Sequence, residues 1–90
     1  MSTLHLMSWP SRADRIKHDA AVLVWRQVAD DLTADIRSGE LPPGSRLPSE
    51  LDLAEIYGVA RVTIRRAVAE LRKDGLVVVV HGRGTFVRDR

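Results

Sequence analysis

Two cationic stretches of this chain carry side chains capable of chemistry. The stretch "ARVTIRRAVAELRK", Ala60 to Lys73, carries Arg61, Arg65, Arg66, Arg72 and Lys73, with the hydroxyl of Thr63 among them. A second stretch, "VVVVHGRGTFVR", Val77 to Arg88, sets His81 and Arg83 beside Gly82 and Gly84. Guanidinium groups are forked donors that fit phosphate oxygens and the O6 and N7 edge of guanine. A threonine hydroxyl can bond phosphate.

Other chemistry is poorly supplied. The histidines are His5, His18 and His81, and cysteine is absent, so there is neither a disulfide framework nor a thiolate metal site. Ser45 and Ser49 fall where a turn and a helix cap are expected. Asp30, Asp31 and Asp35 read as a solvated helix face, because metal sites usually draw ligands converging from several segments. No glycine-rich loop sits between a strand and a helix in a phosphate-binding context. Neither an enzyme nor a bound cofactor or metal is expected.

The elements that must position the cations follow from periodicity and punctuation. Val22, Trp25, Ala29, Leu32 and Ile36 recur every three or four residues, which predicts an amphipathic helix over 21–38 closed by Gly39. In "ELPPGSRLPSE", Pro42-Pro43-Gly44 must turn, leaving Ser45 to Leu47 as at most a short extended piece. Ser49 caps a second helix that stops at Gly58. A third begins near Ala60, with Ile64, Ala67, Val68 and Leu71 as its inward stripe, and Gly75 closes it. The valines and "GTFV" then form a hairpin. This order is mainly α with a small β-hairpin, a winged helix-turn-helix spanning 21–90. Residues 1–20 show no sustained period and read as a mobile tail. The expected core is Val22, Trp25, Leu32, Ile36, Leu53, Ile56, Ile64, Val68, Leu71, Leu76 and Phe86.

At ~100° per residue, Val62, Arg66 and Lys73 point nearly opposite Ile64 on the third helix, and Arg61, Arg65 and Arg72 line one flank. Cations near a helix N-terminus are disfavoured unless that end meets negative charge. A recognition helix entering the major groove foremost by its N-terminus supplies such a meeting. The hairpin tip would then reach the minor groove or phosphate, with His81 and Arg83 as donors and Gly82 and Gly84 allowing close approach.

The whole chain agrees with this bias. The 90 residues carry net charge +2. Residues 1–57 hold six Lys/Arg against nine Asp/Glu (−3), and residues 58–90 hold eight against three (+5). A basic half beside an acidic half is either an electrostatic footprint for a polyanion or a device for solubility alone. The composition, 44% apolar and 29% charged, is that of one globular domain. Apolar runs such as Leu76 to Val80 are far short of the ~18 residues of a membrane span. A cytoplasmic bacterial protein, nucleoid-associated when bound, is expected, with no membrane partner.

Five segments in order, "ADDLTADIRSGELPPGSRLPSE", "LAEIYGV", "ARVTIRRAV", "LRKDGLV" and "GRGTFV", resemble the DNA-binding domain of GntR-family transcription regulators, particularly the HutC-like branch. The resemblance covers about 22–88. It implies a winged helix that represses or otherwise regulates transcription, binding an inverted repeat in double-stranded DNA as a homodimer. It matches the family's base-reading arginine to Arg61 and its second recognition-helix arginine to Arg65. Its phosphate-binding threonine falls on Thr63 and its wing residues on His81 and Gly82. Ser49 and Glu50 match the helix start where backbone approaches phosphate. Together with Val62, Arg66 and Arg83 from the helix face and the ribbon, these are the expected DNA-binding residues.

Two positions depart from the pattern. Leu51 stands where arginine is usual, and Ala60 where Ser or Thr is usual. The family's C-terminal effector-binding and dimerisation domain has no counterpart in these 90 residues. Two other readings remain open: a winged helix that docks on protein, or the DNA-binding part of a regulator whose sensing lies on another chain.

Overall fold

Each helix boundary has a local cause. In the computed structural model, which describes residues 9–89, Ser49 has extended backbone and its Oγ accepts the Asp52 N–H at 3.0 Å. From that cap α2 runs Glu50–Tyr57 and ends on Gly58 at φ 66°, a left-handed conformation that glycine adopts without a Cβ penalty. After Val59 and Ala60, α3 begins, Arg61–Lys73. The preceding helix, α1, is Val24–Ser38 and closes on Gly39 at φ 88°.

The hairpin is antiparallel, β1 Val77–Val80 against β2 Gly84–Val87, with Val78 opposite Phe86 and Val80 opposite Gly84. Ser45 to Leu47 lies along the other side of β2. There Arg46 bridges Phe86, the Leu47 N–H reaches the Thr85 carbonyl at 2.8 Å, and Val87 returns a bond to the Ser45 carbonyl at 2.8 Å. The expected extended piece is therefore a short third strand that fixes the hairpin to the helices. Among the described residues β1 has only β2 as a sheet neighbour, so its outer edge is open.

Packing builds the core where the three helices meet. Val28, Ala29 and Leu32 of α1 face Leu53, Ala54 and Tyr57 of α2 and Ile64, Ala67 and Leu71 of α3. Leu41, Leu47, Val77 and Val87 close the end nearest the hairpin. Burying each large apolar side chain of this kind stabilises by roughly 1.5–3 kcal/mol. Leu32, Leu53, Ile64 and Leu71 are buried as expected. Ile36, Ile56, Val68 and Leu76 are partly buried against the core, and Trp25 and Phe86 are also half-buried.

Val22 departs from expectation, being 48% exposed. The reason is that α1 starts three residues later than its apolar period suggests. The Gln27 side chain accepts the Lys17 N–H and donates to the Lys17 and Val22 carbonyls, each at 2.8 Å. This staple holds 17–22 as non-helical backbone.

The expected tail also differs. Residues 1–8 lie outside the described residues, but the segment from Trp9 packs on the domain, and Arg12 and Ile16 are buried. After a single 3₁₀ turn, Ala13–Arg15, Ile16 joins the core. The Arg12 N–H donates to the Ile56 carbonyl at 2.7 Å. Its guanidinium donates to Asp31 at 2.9 Å and to the Tyr57 hydroxyl at 3.0 Å, and lies 2.8 Å from Asp35. Arg15 adds a second cation, 3.0 Å from Asp31. Asp31 and Asp35 are thus not a solvated face. They are the anionic socket for an arginine that a periodicity argument assigned to a tail.

Ala60 supplies no side-chain cap to α3. Ala60→Ser is expected to raise stability by roughly 0.5–2 kcal/mol, read as a higher urea midpoint with unchanged slope.

Candidate nucleic-acid interface

Three elements converge on one face. The start of α2, a flank of α3 and the tip-side half of the hairpin enclose a cleft of about 420 Å³. Glu50, Arg65, Arg72, Arg46 and Thr85 lie on its walls, with Leu53 and Val68 beneath. Arg65 and Arg72 come from the flank that the helical wheel indicates. Arg46 comes from the short strand, and its guanidinium crosses Gly84 so closely that a Cβ there would meet Nε at 2.7 Å.

Glu50 organises the start of α3. Its carboxylate accepts two bonds from Arg65, both at 3.0 Å, and one from Arg61 at 3.3 Å. The Arg65 hydrogen bond, with Arg61 behind it, holds the Glu50 carboxyl below the usual carboxylate range despite slight desolvation. The same bond raises Arg65. The negative charge expected from a partner at this cationic helix start is therefore partly supplied from within the fold. One carboxylate against two guanidiniums leaves the trio net positive, and both arginine side chains remain more than half exposed.

The remaining expected residues are placed as follows. Val62 is 63% exposed and Leu51 52%; both point away from the core, Val62 as its wheel position predicts. Thr63 is half-buried on the α1 side of α3, and Arg66 is exposed. Ser49 is exposed, but its hydroxyl serves the α2 cap. His81, Gly82 and Arg83 form the three-residue tip between the strands, all exposed. Gly82 has φ 79° and Gly84 φ 128°. The tip is held by the Arg83 N–H bonding the Val80 carbonyl at 2.8 Å.

Arg46 was not legible as a site residue. It sits between two prolines in what sequence shows only as a turn, and its isolated charge gave no signal. Among the described residues Arg46, Arg66, Arg72 and Arg83 have no carboxylate within 4.0 Å. Four unneutralised guanidiniums beside a net-positive trio suit a polyanion. No group of three His, Cys, Asp or Glu side chains among the described residues can hold a metal ion. Among the described residues no helix is long and apolar enough to cross a membrane.

A three-helix winged helix-turn-helix with a cationic second helix of the motif is the architecture expected of a DNA-binding domain, and comparison with known proteins agrees. Residues 25–87 match the family model described as bacterial regulatory proteins, gntR family. The chain belongs to that family. It is 39% identical over 72 residues to the HTH-type transcriptional repressor NagR of Bacillus subtilis, covering 80% of this chain and 30% of that protein. It is 39% identical over 66 residues to MngR of Escherichia coli, the mannosyl-D-glycerate transport/metabolism system repressor, covering 73% and 28%. The chain thus spans under a third of either relative.

Solved structures resemble it more completely. YtrA from Sulfolobus acidocaldarius, a GntR-family transcription factor, superposes with TM-score 0.79 at 32% identity, covering 87% of this chain and 82% of that one. The DNA-binding domain of AraR in complex with operator ORX1 gives TM-score 0.71 at 36% identity, covering 73% and 80%.

Proposed function

We propose that this chain is the sequence-specific double-stranded DNA-binding domain of a transcription repressor, of the HutC-like branch, and acts without catalysis. The observation that carries the reading is the trio Glu50–Arg61–Arg65 at the exposed start of α3. It presents two oriented guanidiniums at the end of the helix that leads into a major groove. Arg61 reads a guanine edge and Arg65 supports it, while Val62 offers an apolar contact and Thr63 a phosphate bond. Ser49 brings the α2 start towards phosphate. The wing tip, His81 to Arg83, enters the flanking minor groove. Arg46 and Arg72 attract the backbone between them. Two copies on an inverted repeat fit the family pattern, in a cytoplasmic protein that is nucleoid-associated when bound.

Selection of bound sequences from a random duplex pool tests this, returning half-site, symmetry and spacing together. On the selected site, Arg61→Ala is expected to cost about 1–3 kcal/mol and to relax one base position. On random DNA the same variant should lose much less. Equal losses on both would show that Arg61 does not read sequence. A protein-docking winged helix would return no enriched sequence.

A further inference from the structure

On the side of α3 away from Glu50, Arg66 lies over the ring of Trp25, its Cζ 4.5 Å from the ring centroid. Arg26 lies over the same ring at 4.8 Å. The two guanidiniums differ in what neutralises them. Arg26 is 3.2 Å from Glu70 and 3.6 Å from Asp30. Arg66 has no carboxylate within 4.0 Å among the described residues. A half-buried indole therefore fixes an exposed cation whose charge is left free, on the outward face of the helix proposed to meet DNA. A ring quadrupole attracts a guanidinium without cancelling its charge or using its donors. A long side chain that would otherwise sample many rotamers is held in one place.

Resting on the DNA-binding reading above, we infer that Arg66 contacts a backbone phosphate on the α1 side of α3 and that Trp25 is its positioning residue. The duplex would then be held from both sides of the reading trio: by the wing and Arg46 on one, and by the Arg66–Trp25 pair on the other. Arg66 so held contributes affinity for all sequences alike, whereas Arg61 discriminates among them.

The test uses the full chain and a fluorescent 30-base-pair duplex of random sequence, titrated at several salt concentrations between about 50 and 200 mM. Arg66→Ala should flatten the plot of log affinity against log salt by about 0.9 for each bound copy. Its affinity deficit should therefore shrink by about 3- to 4-fold per copy across that range. Trp25→Leu should flatten the slope in the same sense, by no more than Arg66→Ala does, and add nothing in the double variant. Trp25→Tyr, which restores a ring face, should recover the parental slope. A structural role for Trp25 alone would lower the urea midpoint and leave the slope intact.

Should Trp25→Leu not fold, Trp25→Met keeps apolar volume without a ring face, and the same flattened slope is expected. A parental slope for Trp25→Met in that case, or additive losses in the double variant, overturns the positioning role. A parental slope for Arg66→Ala overturns the phosphate contact while leaving the DNA-binding reading standing. A parent chain that binds no duplex at all overturns both.

Discussion

Replacing Arg12 with alanine is expected to destabilise the protein by about 3–5 kcal/mol, the range found when one partner is removed from a buried ion pair. The Arg12 side chain is 10% exposed, and its two carboxylate partners, Asp31 and Asp35, are 23% and 17% exposed. Truncation strands those carboxylates in a site without water-like solvation. Asp31 keeps Arg15 and the Tyr57 hydroxyl, which donates to it at 2.6 Å; Asp35 keeps neither. Arg12→Ala combined with Asp35→Ala should therefore recover part of the loss, a coupling that a double-mutant cycle in urea measures.

The deficit should also depend on pH. Desolvation alone would raise Asp31, but the Tyr57 and Arg15 hydrogen bonds and the nearby cations outweigh it and hold the group below its ordinary 3.8. A carboxyl depressed on folding stabilises the native state above its unfolded pKa and loses that contribution as pH falls through its folded value. The difference between parent and Arg12→Ala should thus be full near neutrality and narrow below about pH 4. A pH-independent difference would mean that Arg12 acts through packing alone.

The second large effect belongs to binding. Affinity for the selected site is expected to fall by about 10³–10⁵ between 50 and 200 mM salt, as for proteins making about six to ten phosphate contacts. Each copy offers Arg46, Arg66, Arg72 and Arg83 without a carboxylate partner, and Lys73 only loosely tied, 3.8 Å from Glu70. Two copies reach that range of contacts if three to five of these cations meet phosphate in each, an estimate of about six to ten in all. Anisotropy of a labelled duplex over a salt series measures the slope. A loss of less than about tenfold would mean that the cations face solvent and that binding rests on other contacts.

Sequence carried most of the scaffold because its determinants are local. Ser49 and Gly58 delimit α2, Gly39 closes α1, and the 3.6-residue stripe of α3 needs no knowledge of its neighbours. The face of α3 was legible for the same reason, since side-chain direction follows from position. The pairing of Glu50 with Arg61 and Arg65 was not, because it depends on how the turn at Gly58 sets two helices. Arg12 failed for a related reason. An arginine buries only if carboxylates from another element await it, and the one local hint was the i, i+4 spacing of Asp31 and Asp35 beside an apolar stripe. The start of α1 was misplaced because Gln27 ties it to backbone 5 and 10 residues away, a link that periodicity does not carry.

The open edge of β1 has a consequence for handling the protein in concentrated solution. Val78, Val79 and Val80 are 37–46% exposed, and the unpaired peptide groups beside them form a template onto which another chain's strand can add. Four consecutive β-branched residues of no charge are the composition most prone to such growth. Two features oppose it: the strand is only four residues long, and Arg83 places at its far end a positive charge that repels an identical copy. Shielding that charge with salt weakens the second defence. The ionic conditions that release this protein from a polyanion are therefore also those under which its wing is least protected from self-association.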